Sequence, residues 1–251
     1  MEVAGRWGFA ARGVIYLLVG VLALRIAFGG GGEQADRGGA LAEVAQKPLG
    51  VVMLWLIGIG FAGMALWRLS EAVFGSKTGK RLMSGGRAVF YGFVAYSVLA
   101  FATGDEGSNS GSSDRQSRDI TAKALGLPAG QWLVGIAGLV VAGIGVAIAV
   151  RAIMRKYHKH LKLGEMSKKA RRFTDVTGVG GGTARGLIAV AAGIFVVRAA
   201  VKFKPEEAKG MDDTLRSFAD TPAGPWLLVA VAVGLALFGL FSFAMARWRH
   251  V

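Results

Sequence analysis

Long apolar stretches separated by short charged segments dominate the pattern of hydrophobic and polar positions along the chain. Six stretches are bounded by flanking charges: Gly13–Leu24, Leu49–Trp67, Ala88–Thr103, Trp132–Val150, Gly186–Val197 and Trp226–Ala246. A membrane-spanning helix needs about 20 apolar residues, and several stretches approach or reach that length. Arg25 and Arg198 interrupt the first and fifth, but apolar residues follow, so we extend these helices to Phe28 and Val201. The pattern predicts an all-α integral membrane protein with six transmembrane helices.

Composition supports a membrane protein and narrows its chemistry. Of the 251 residues, 53% are hydrophobic and only 18% are charged, and 39 are glycine, a residue that transmembrane helices carry more often than soluble ones. The chain has no cysteine, which excludes disulfides, thiolate metal sites and thiol nucleophiles. Its formal charge of +14 is concentrated between the apolar stretches.

The distribution of lysine and arginine predicts the orientation. The segments before span 1, between spans 2 and 3, between spans 4 and 5, and after span 6 are all net basic. The other three segments, residues 29–48, 104–128 and 202–222, each hold one more acidic than basic residue. Because basic residues stay on the cytoplasmic side, we expect both termini there. Span 1 begins like a secretory signal peptide, but its equivalence to internal helices predicts that it is retained.

The chain reads as three copies of one two-helix hairpin, with boundaries at residues 1–83, 84–170 and 171–251. The copies share an arginine at the start of the first helix (Arg12, Arg87, Arg185), a small residue eight positions later (Gly20, Ala95, Gly193), a proline at the start of the second helix (Pro48, Pro128, Pro222) and a small residue ten positions beyond that (Gly58, Gly138, Ala232). Proline suits the first turn of a helix, and small residues let transmembrane helices pack closely.

Two connecting features accompany the hairpins. A short stretch with spaced apolar residues precedes each proline, around Leu41, Ile120 and Leu215, and predicts small amphipathic helices at the outer interface. The glycine run Gly178–Gly182 lacks the Lys-Ser/Thr of a phosphate-binding loop. We expect it to be a flexible segment leading into span 5.

The repeated motifs resemble a known bacterial family. These motifs are Ala-Arg-Gly followed by two apolar residues, Ala-Leu-x6-Pro-x-Gly, and the helix end Ala65-Leu66-Trp67-Arg68-Leu69-Ser70-Glu71-Ala72. They look like the family catalogued as domain of unknown function 1206, over the whole chain as three two-helix units. The middle copy departs by having Ala100 where its neighbours have Arg25 and Arg198. The resemblance implies an integral plasma-membrane protein of bacteria and carries no activity with it.

Five arginines are candidate contacts for an anion or a lipid headgroup. Arg25 and Arg198 should lie near the outer boundary, where they either reach the headgroups or form part of an outward-facing anionic site. Arg12, Arg87 and Arg185 recur at the inner ends of equivalent helices. They either anchor the helices to anionic headgroups or form a ring that binds a phosphate or carboxylate.

The spans offer little for catalysis. Apart from Glu71, which can pair with Arg68 at the inner end of span 2, they hold no Asp, Glu or His. This argues against proton relays, coupled transport and intramembrane acid–base catalysis. His158 and His160 have no third metal ligand nearby. We therefore expect no catalytic residue, cofactor or metal.

The basic segment from Arg151 to Arg185 favours anionic lipid, with a protein partner as the alternative, and no recognition motif points to nucleic acid. The leading hypothesis is a non-enzymatic accessory, scaffold or lipid-interacting subunit that associates with a partner or with itself. The alternative is a passive or anion-selective channel or transporter that uses the arginines near both membrane faces.

Overall fold

The computed structural model describes residues 2–28, 34–74, 78–104, 113–219 and 224–249. These ranges form helices α1 (Glu2–Ala27), α2 (Arg37–Ala45), α3 (Gly50–Phe74), α4 (Thr78–Ala102), α5 (Ser113–Leu125), α6 (Gly130–Ile153), α7 (Lys168–Lys202), α8 (Met211–Ala219) and α9 (Gly224–Trp248). Six of them, α1, α3, α4, α6, α7 and α9, are long and apolar enough to cross a membrane. The predicted all-α architecture with six spans is confirmed.

The six long helices are arranged as an interrupted ring. Helix α6 packs on α7, α7 on α9, α9 on α1, α1 on α3, and α3 on α4. Helices α4 and α6, which would close the ring, do not pack on each other to a comparable extent. In repeats 1 and 3 the two long helices of the hairpin are therefore packed together, whereas α4 and α6 of repeat 2 have few contacts or none.

Small residues lie where neighbouring repeats meet. A Cβ on Gly193 would come within 2.7 Å of the Gly138 carbonyl oxygen, and a Cβ on Gly186 would come within 2.7 Å of the Gly145 carbonyl oxygen. Helices α1 and α9 pack in the same way, since a Cβ on Gly20 would lie 3.0 Å from the Ala232 carbonyl oxygen. Between α3 and α4, a Cβ on Gly58 would lie 2.5 Å from Leu99, and Ala95 is buried. Such contacts bring helix backbones close enough for extensive van der Waals packing.

In repeats 1 and 2 the second long helix begins later than the proline predicts. Helices α3 and α6 begin at Gly50 and Gly130, two residues after Pro48 and Pro128. Each proline is instead the second residue of a tight turn, closed by a hydrogen bond from the Gly50 N–H to the Lys47 carbonyl and from the Gly130 N–H to the Leu127 carbonyl (both 2.8 Å). Leu49 and Ala129 take the left-handed conformation at the third position of these turns. Pro222 lies outside the described residues.

The glycine run before span 5 is helical, so the prediction of a flexible segment there is wrong. Residues 178–182 belong to α7, which is 35 residues long. A Cβ on Gly181 would lie 2.3 Å from the Phe238 backbone nitrogen. Gly180 and Gly181 form a flat helix surface against α9, whereas Gly182 packs against Ala152 of α6.

The three short helices α2, α5 and α8 lie at one end of the bundle, which we call the acidic end. Leu41 of α2 and Leu215 of α8 are fully buried in the main core cluster, so these helices pack onto the long helices. In α5 the buried residues are Asp114, Thr121 and Leu125, whereas Ile120 is exposed. The opposite end, where α1 begins and α9 ends, is called the basic end.

Candidate anion site at the basic end

Two of the three repeated arginines contact a tyrosine that belongs to another repeat. The Arg12 side chain lies against the Tyr91 side chain, and the Arg185 side chain against that of Tyr16, so each guanidinium group can donate a hydrogen bond to a phenol oxygen. The arginine of repeat 1 thus meets the tyrosine of repeat 2, and the arginine of repeat 3 meets that of repeat 1. The structure therefore brings Arg12 and Arg185 together at the centre of the ring.

The third link is missing, because repeat 3 has Ala189 where Tyr16 and Tyr91 stand in the other repeats. Arg87 is exposed, and no hydrogen bond or ion pair within the described ranges is shown for it. It lies within electrostatic range of Arg68 and Arg151, and also of Tyr91 and Glu71. The predicted ring of three equivalent arginines is thus two linked residues and a third that faces outward.

Aromatic rings surround these guanidinium groups. The Phe238 ring lies 5.1 Å from the Arg12 guanidinium carbon and 5.0 Å from that of Arg185. Arg249, at the end of α9, lies over the rings of Phe9 and Trp67 at 4.9 and 5.1 Å. Cation–π contacts of this kind stabilise a cation removed from water by up to about 2 kcal/mol. They do not neutralise its charge.

The described residues provide little negative charge here. Arg68, only 6% exposed, pairs with Glu71 at 2.6 Å, as the sequence predicts, and Ser84 also donates a hydrogen bond to Glu71. The Nε atoms of Arg68 and Arg249 are buried without a hydrogen-bond partner among the described residues. Burial and repulsion from Arg68 and Arg12 lower the pKa of Arg249 to about 9. We call Arg12, Arg68, Arg185 and Arg249 the arginine cluster.

The other polar contact of Arg12 is structural. Its Nε donates a hydrogen bond to the Ser242 hydroxyl at 3.1 Å, and Ser242 donates to the Phe238 carbonyl at 2.9 Å. The hydroxyl is thus engaged on both sides and has no general base among these contacts. A nucleophile would need one.

Arg25 and Arg198 lie at the acidic end and are partly neutralised. Arg25 pairs with Glu43 at 3.6 Å, and Arg198 pairs with Glu207 at 3.4 Å. The pKa of each glutamate is lowered, chiefly by a hydrogen bond from Lys47 or Lys202, with the arginine contributing further. The structure therefore separates these arginines from the arginine cluster and gives each a carboxylate.

The basic segment that follows α6 folds back on α7. Asp175 receives contacts from His158 at 2.5 Å and Arg155 at 3.6 Å, and it accepts a hydrogen bond from the Tyr157 hydroxyl at 3.2 Å. Beside it lies an open cavity of about 530 Å³ that is lined in part by Lys168, Arg171 and Arg172. This surface adds basic charge next to the bundle.

The acidic end also holds a cluster of aspartates that was not predicted from the sequence. Carboxylate oxygens of Asp114, Asp212 and Asp213 lie within 4.8 Å of one another, a spacing that could hold a metal ion. Each already has a protein partner: Asp212 accepts from the Ala35 N–H, Asp114 from the Asp213 N–H, and Asp213 pairs with Arg118. Acidic residues in the first turns of α5 and α8 were the signal that could have revealed the cluster.

Together these observations define the class of protein: a multi-pass α-helical membrane protein of three two-helix repeats, with a cluster of arginines at one end. The chain belongs to the family described as Domain of Unknown Function (DUF1206), whose model matches residues 7–75, 83–155 and 180–249. The family resemblance seen in the sequence is confirmed.

One curated bacterial relative extends over nearly the whole chain. The Uncharacterized protein YxxB of Bacillus subtilis (strain 168) is 29% identical over 255 aligned residues, which cover 98% of this chain and 90% of that protein. No solved structure matches this chain. The comparisons therefore establish the family and leave the activity open.

Proposed function

We propose that this protein is a non-enzymatic accessory or scaffold protein of the bacterial plasma membrane that holds an anionic lipid headgroup at its basic end. The observation that carries the proposal is the arginine cluster. Four guanidinium groups gather there, and among the described residues Glu71 pairs with Arg68 and lies within electrostatic range of Arg249. Removing charges from water is costly unless they are paired. An anion with several acceptor oxygens that entered the cluster would satisfy the Nε donors of Arg68 and Arg249, which are buried without a partner among the described residues.

The ligand chemistry is that of a phosphate group, and two sources can provide it. Phospholipid headgroups are present at high local concentration at a membrane surface, and basic residues there attract anionic lipids by about 1 kcal/mol each. Free phosphate is the other source. We favour the lipid because the surrounding basic surface of Lys168, Arg171 and Arg172 would attract the same headgroups.

The proposal assigns the basic end to the cytoplasm, with both termini inside. The segments at this end carry the excess of lysine and arginine, as the positive-inside rule requires. Fusing a reporter that fluoresces only in the cytoplasm after Val251 should give signal. Inserting it between residues 104 and 113 should give none, and the reverse pattern would overturn the orientation.

An anion channel is less well supported than a binding protein. Large apolar side chains from several repeats occupy the centre of the bundle, including Ile15 and Val19 of α1, Val94 and Val98 of α4, and Ile188 of α7. These residues form one buried cluster with Leu41 and Leu215 of the short helices. A path for ions between the two ends would have to displace this packing.

The experiment is a thermal unfolding series on the purified full-length protein in neutral detergent. Added phosphatidylglycerol should raise the unfolding midpoint, because a ligand that binds the folded state stabilises it. Phosphatidylcholine should not, and inorganic phosphate tests the alternative source. Arg249→Gln should weaken the response to phosphatidylglycerol, and Arg249→Lys should keep part of it. The control is Arg247→Gln, which removes an exposed arginine two residues away.

Equal midpoints in both lipids, with no response to phosphate, would overturn the proposal. A response to phosphate alone would replace the lipid with a soluble anion as the ligand. An equal loss of response in Arg249→Gln and Arg247→Gln would reduce the effect to general surface charge.

A further inference from the structure

In repeats 1 and 3, two glycines allow the paired helices of the hairpin to touch. A Cβ on Gly8 would lie 2.5 Å from the Met64 Cβ, and a Cβ on Gly181 would lie 2.3 Å from the Phe238 nitrogen. These are equivalent pairs, since Gly8 and Gly181 each precede the repeat arginine by four residues. Small residues at this position are thus a condition for close packing.

A second pair of equivalent glycines lies on the facing helices. A Cβ on Gly60 of α3 would lie 2.9 Å from the Ala11 Cβ, and a Cβ on Gly234 of α9 would lie 2.2 Å from the Ala184 Cβ. Both glycines stand twelve positions after the repeat proline. The hairpins whose two long helices pack together, α1 with α3 and α7 with α9, are called closed hairpins. Each closed hairpin therefore has one such glycine on each of its two helices.

The hairpin formed by α4 and α6 has large residues at both positions. Met83 replaces Gly8 and Gly181, and Val140 replaces Gly60 and Gly234. Met83 is 55% exposed and Val140 is 54% exposed, and a Cβ on Gly86, the equivalent of Ala11, would meet no described residue of another element within 4 Å. The faces of α4 and α6 that correspond to the packed faces of the other repeats are therefore open. We call the space between them the α4–α6 groove.

Both faces of the groove carry an arginine at the basic end. Arg87 follows Met83 by four residues on α4, and Arg151 follows Val140 by eleven on α6, so each lies on the same helix face as the groove residue. Both arginines are exposed, and each lies within electrostatic range of the other. Arg87 is also the arginine that lacks a tyrosine partner because of Ala189. The groove thus combines apolar walls with two cations at one mouth.

We propose that the α4–α6 groove binds one anionic phospholipid, with an acyl chain between the helices and the headgroup on Arg87 and Arg151. Charge complementarity selects an anionic headgroup, worth about fivefold in affinity for each arginine. The walls favour a flexible chain over a protein helix, because the large side chains of Met83, Val140 and Ile144 keep a helix backbone from the close approach that small residues allow. The inference rests on the proposed assignment of the basic end to an anionic membrane surface, but it concerns residues outside the arginine cluster.

The absence of cysteine makes a site-specific test possible in the full chain. A bimane label is attached to Val140→Cys, about 16 Å along α6 from Arg151. The labelled protein is placed, one copy per nanodisc, among lipids brominated in the acyl chain, and bromine quenches the fluorescence on contact. The matched control is Leu139→Cys, which is 64% exposed and lies on the adjacent face, where any membrane lipid has access.

At equal mole fraction, brominated phosphatidylglycerol should quench the label at position 140 more than brominated phosphatidylcholine does, whereas position 139 should show no difference. Adding Arg87→Gln and Arg151→Gln should abolish the preference at 140. Adding Arg171→Gln and Arg172→Gln, which removes the same charge outside the groove, should not.

Equal quenching by both lipids at 140 would overturn the inference. So would a label at 140 that neither lipid quenches, because protein would then cover the groove. The lipid response of Arg249 variants can persist in either case, so failure here is distinguishable from failure of the proposed function.

Discussion

The Arg185 side chain of repeat 3 lies against the Tyr16 side chain of repeat 1, which links α7 to α1 at the basic end. Arg12 and Tyr91 make the equivalent link between repeats 1 and 2. These links hold arginines in a part of the bundle where the described residues offer few carboxylates. The same contacts that join the repeats therefore also create the excess of positive charge on which the proposed function depends.

Removing the Tyr16 hydroxyl should destabilise the protein. Tyr16→Phe keeps the edge contact with the Phe238 ring but removes the hydrogen-bond partner of a charged group, a loss of about 1.5–3 kcal/mol. The free energy of unfolding can be measured by denaturant titration in mixed micelles. Tyr96→Phe, at an exposed tyrosine, is the control and should change stability by less than about 0.5 kcal/mol. Equal effects in the two variants would contradict the account.

Close packing of α6 on α7 predicts a position-dependent response to alanine. In Gly138→Ala the new Cβ would lie 2.8 Å from the Val197 nitrogen, so the helices must separate at a cost of about 1–3 kcal/mol. A Cβ on Gly143 of the same helix would meet no described residue of another element within 4 Å. Gly143→Ala should therefore be neutral or slightly stabilising. Thermal unfolding of the two variants checks this, and a more harmful Gly143→Ala would be inconsistent with the packing described.

The aspartates at the acidic end predict a pH dependence. Burial, together with repulsion from Asp213, Asp212 and Asp36, raises the pKa of Asp114 from 3.8 to about 6. The folded protein thus binds this proton more tightly than the unfolded chain. The stabilisation that this proton provides is complete below about pH 4 and is lost as the pH rises towards 6.

Asp114→Asn should therefore raise the unfolding midpoint at pH 8 and have little effect near pH 4. The asparagine oxygen can still accept the hydrogen bond from the Asp213 N–H. Asp119→Asn, at an exposed position on the same helix, provides the control and should show no such difference. A midpoint that falls at pH 8 in Asp114→Asn would mean that the carboxylate stabilises the fold, for example through a bound cation.

The ion pairs of Arg25 and Arg198 should contribute little to stability. Their side chains are 47% and 51% exposed, and exposed pairs contribute about 0–1 kcal/mol. Arg25→Gln is expected to lower the free energy of unfolding by no more than that and to leave the response to phosphatidylglycerol unchanged. A lost lipid response would move the anion site to the acidic end.

Periodic features of the sequence predicted the architecture well. The six spans, the three repeats, the short helices and the Arg68–Glu71 pair all follow from local patterns of charge and apolarity. The proline positions indicated where the second helices begin to within two residues. The error arose because a proline suits both a first helical turn and the second position of a tight turn.

Features that depend on contacts between repeats could not be predicted in the same way. The aligned copies contain Tyr16, Tyr91 and Ala189, yet the sequence does not reveal that each tyrosine meets the arginine of another repeat. The glycine run before span 5 gave no sign that Phe238 would pack on it, because a flat helix surface and a flexible loop share that composition. Likewise, Met83 and Val140 are ordinary transmembrane residues in the sequence. Their importance follows only from the closed hairpins, in which glycine at the equivalent positions lets the two helices pack together.

The most direct test of the central claim is native mass spectrometry of the full-length protein, released from micelles that contain equal amounts of phosphatidylglycerol and phosphatidylcholine. The account predicts protein that carries phosphatidylglycerol in clear preference to phosphatidylcholine. Protein that emerges without lipid, or with the two lipids in equal proportion, would contradict it.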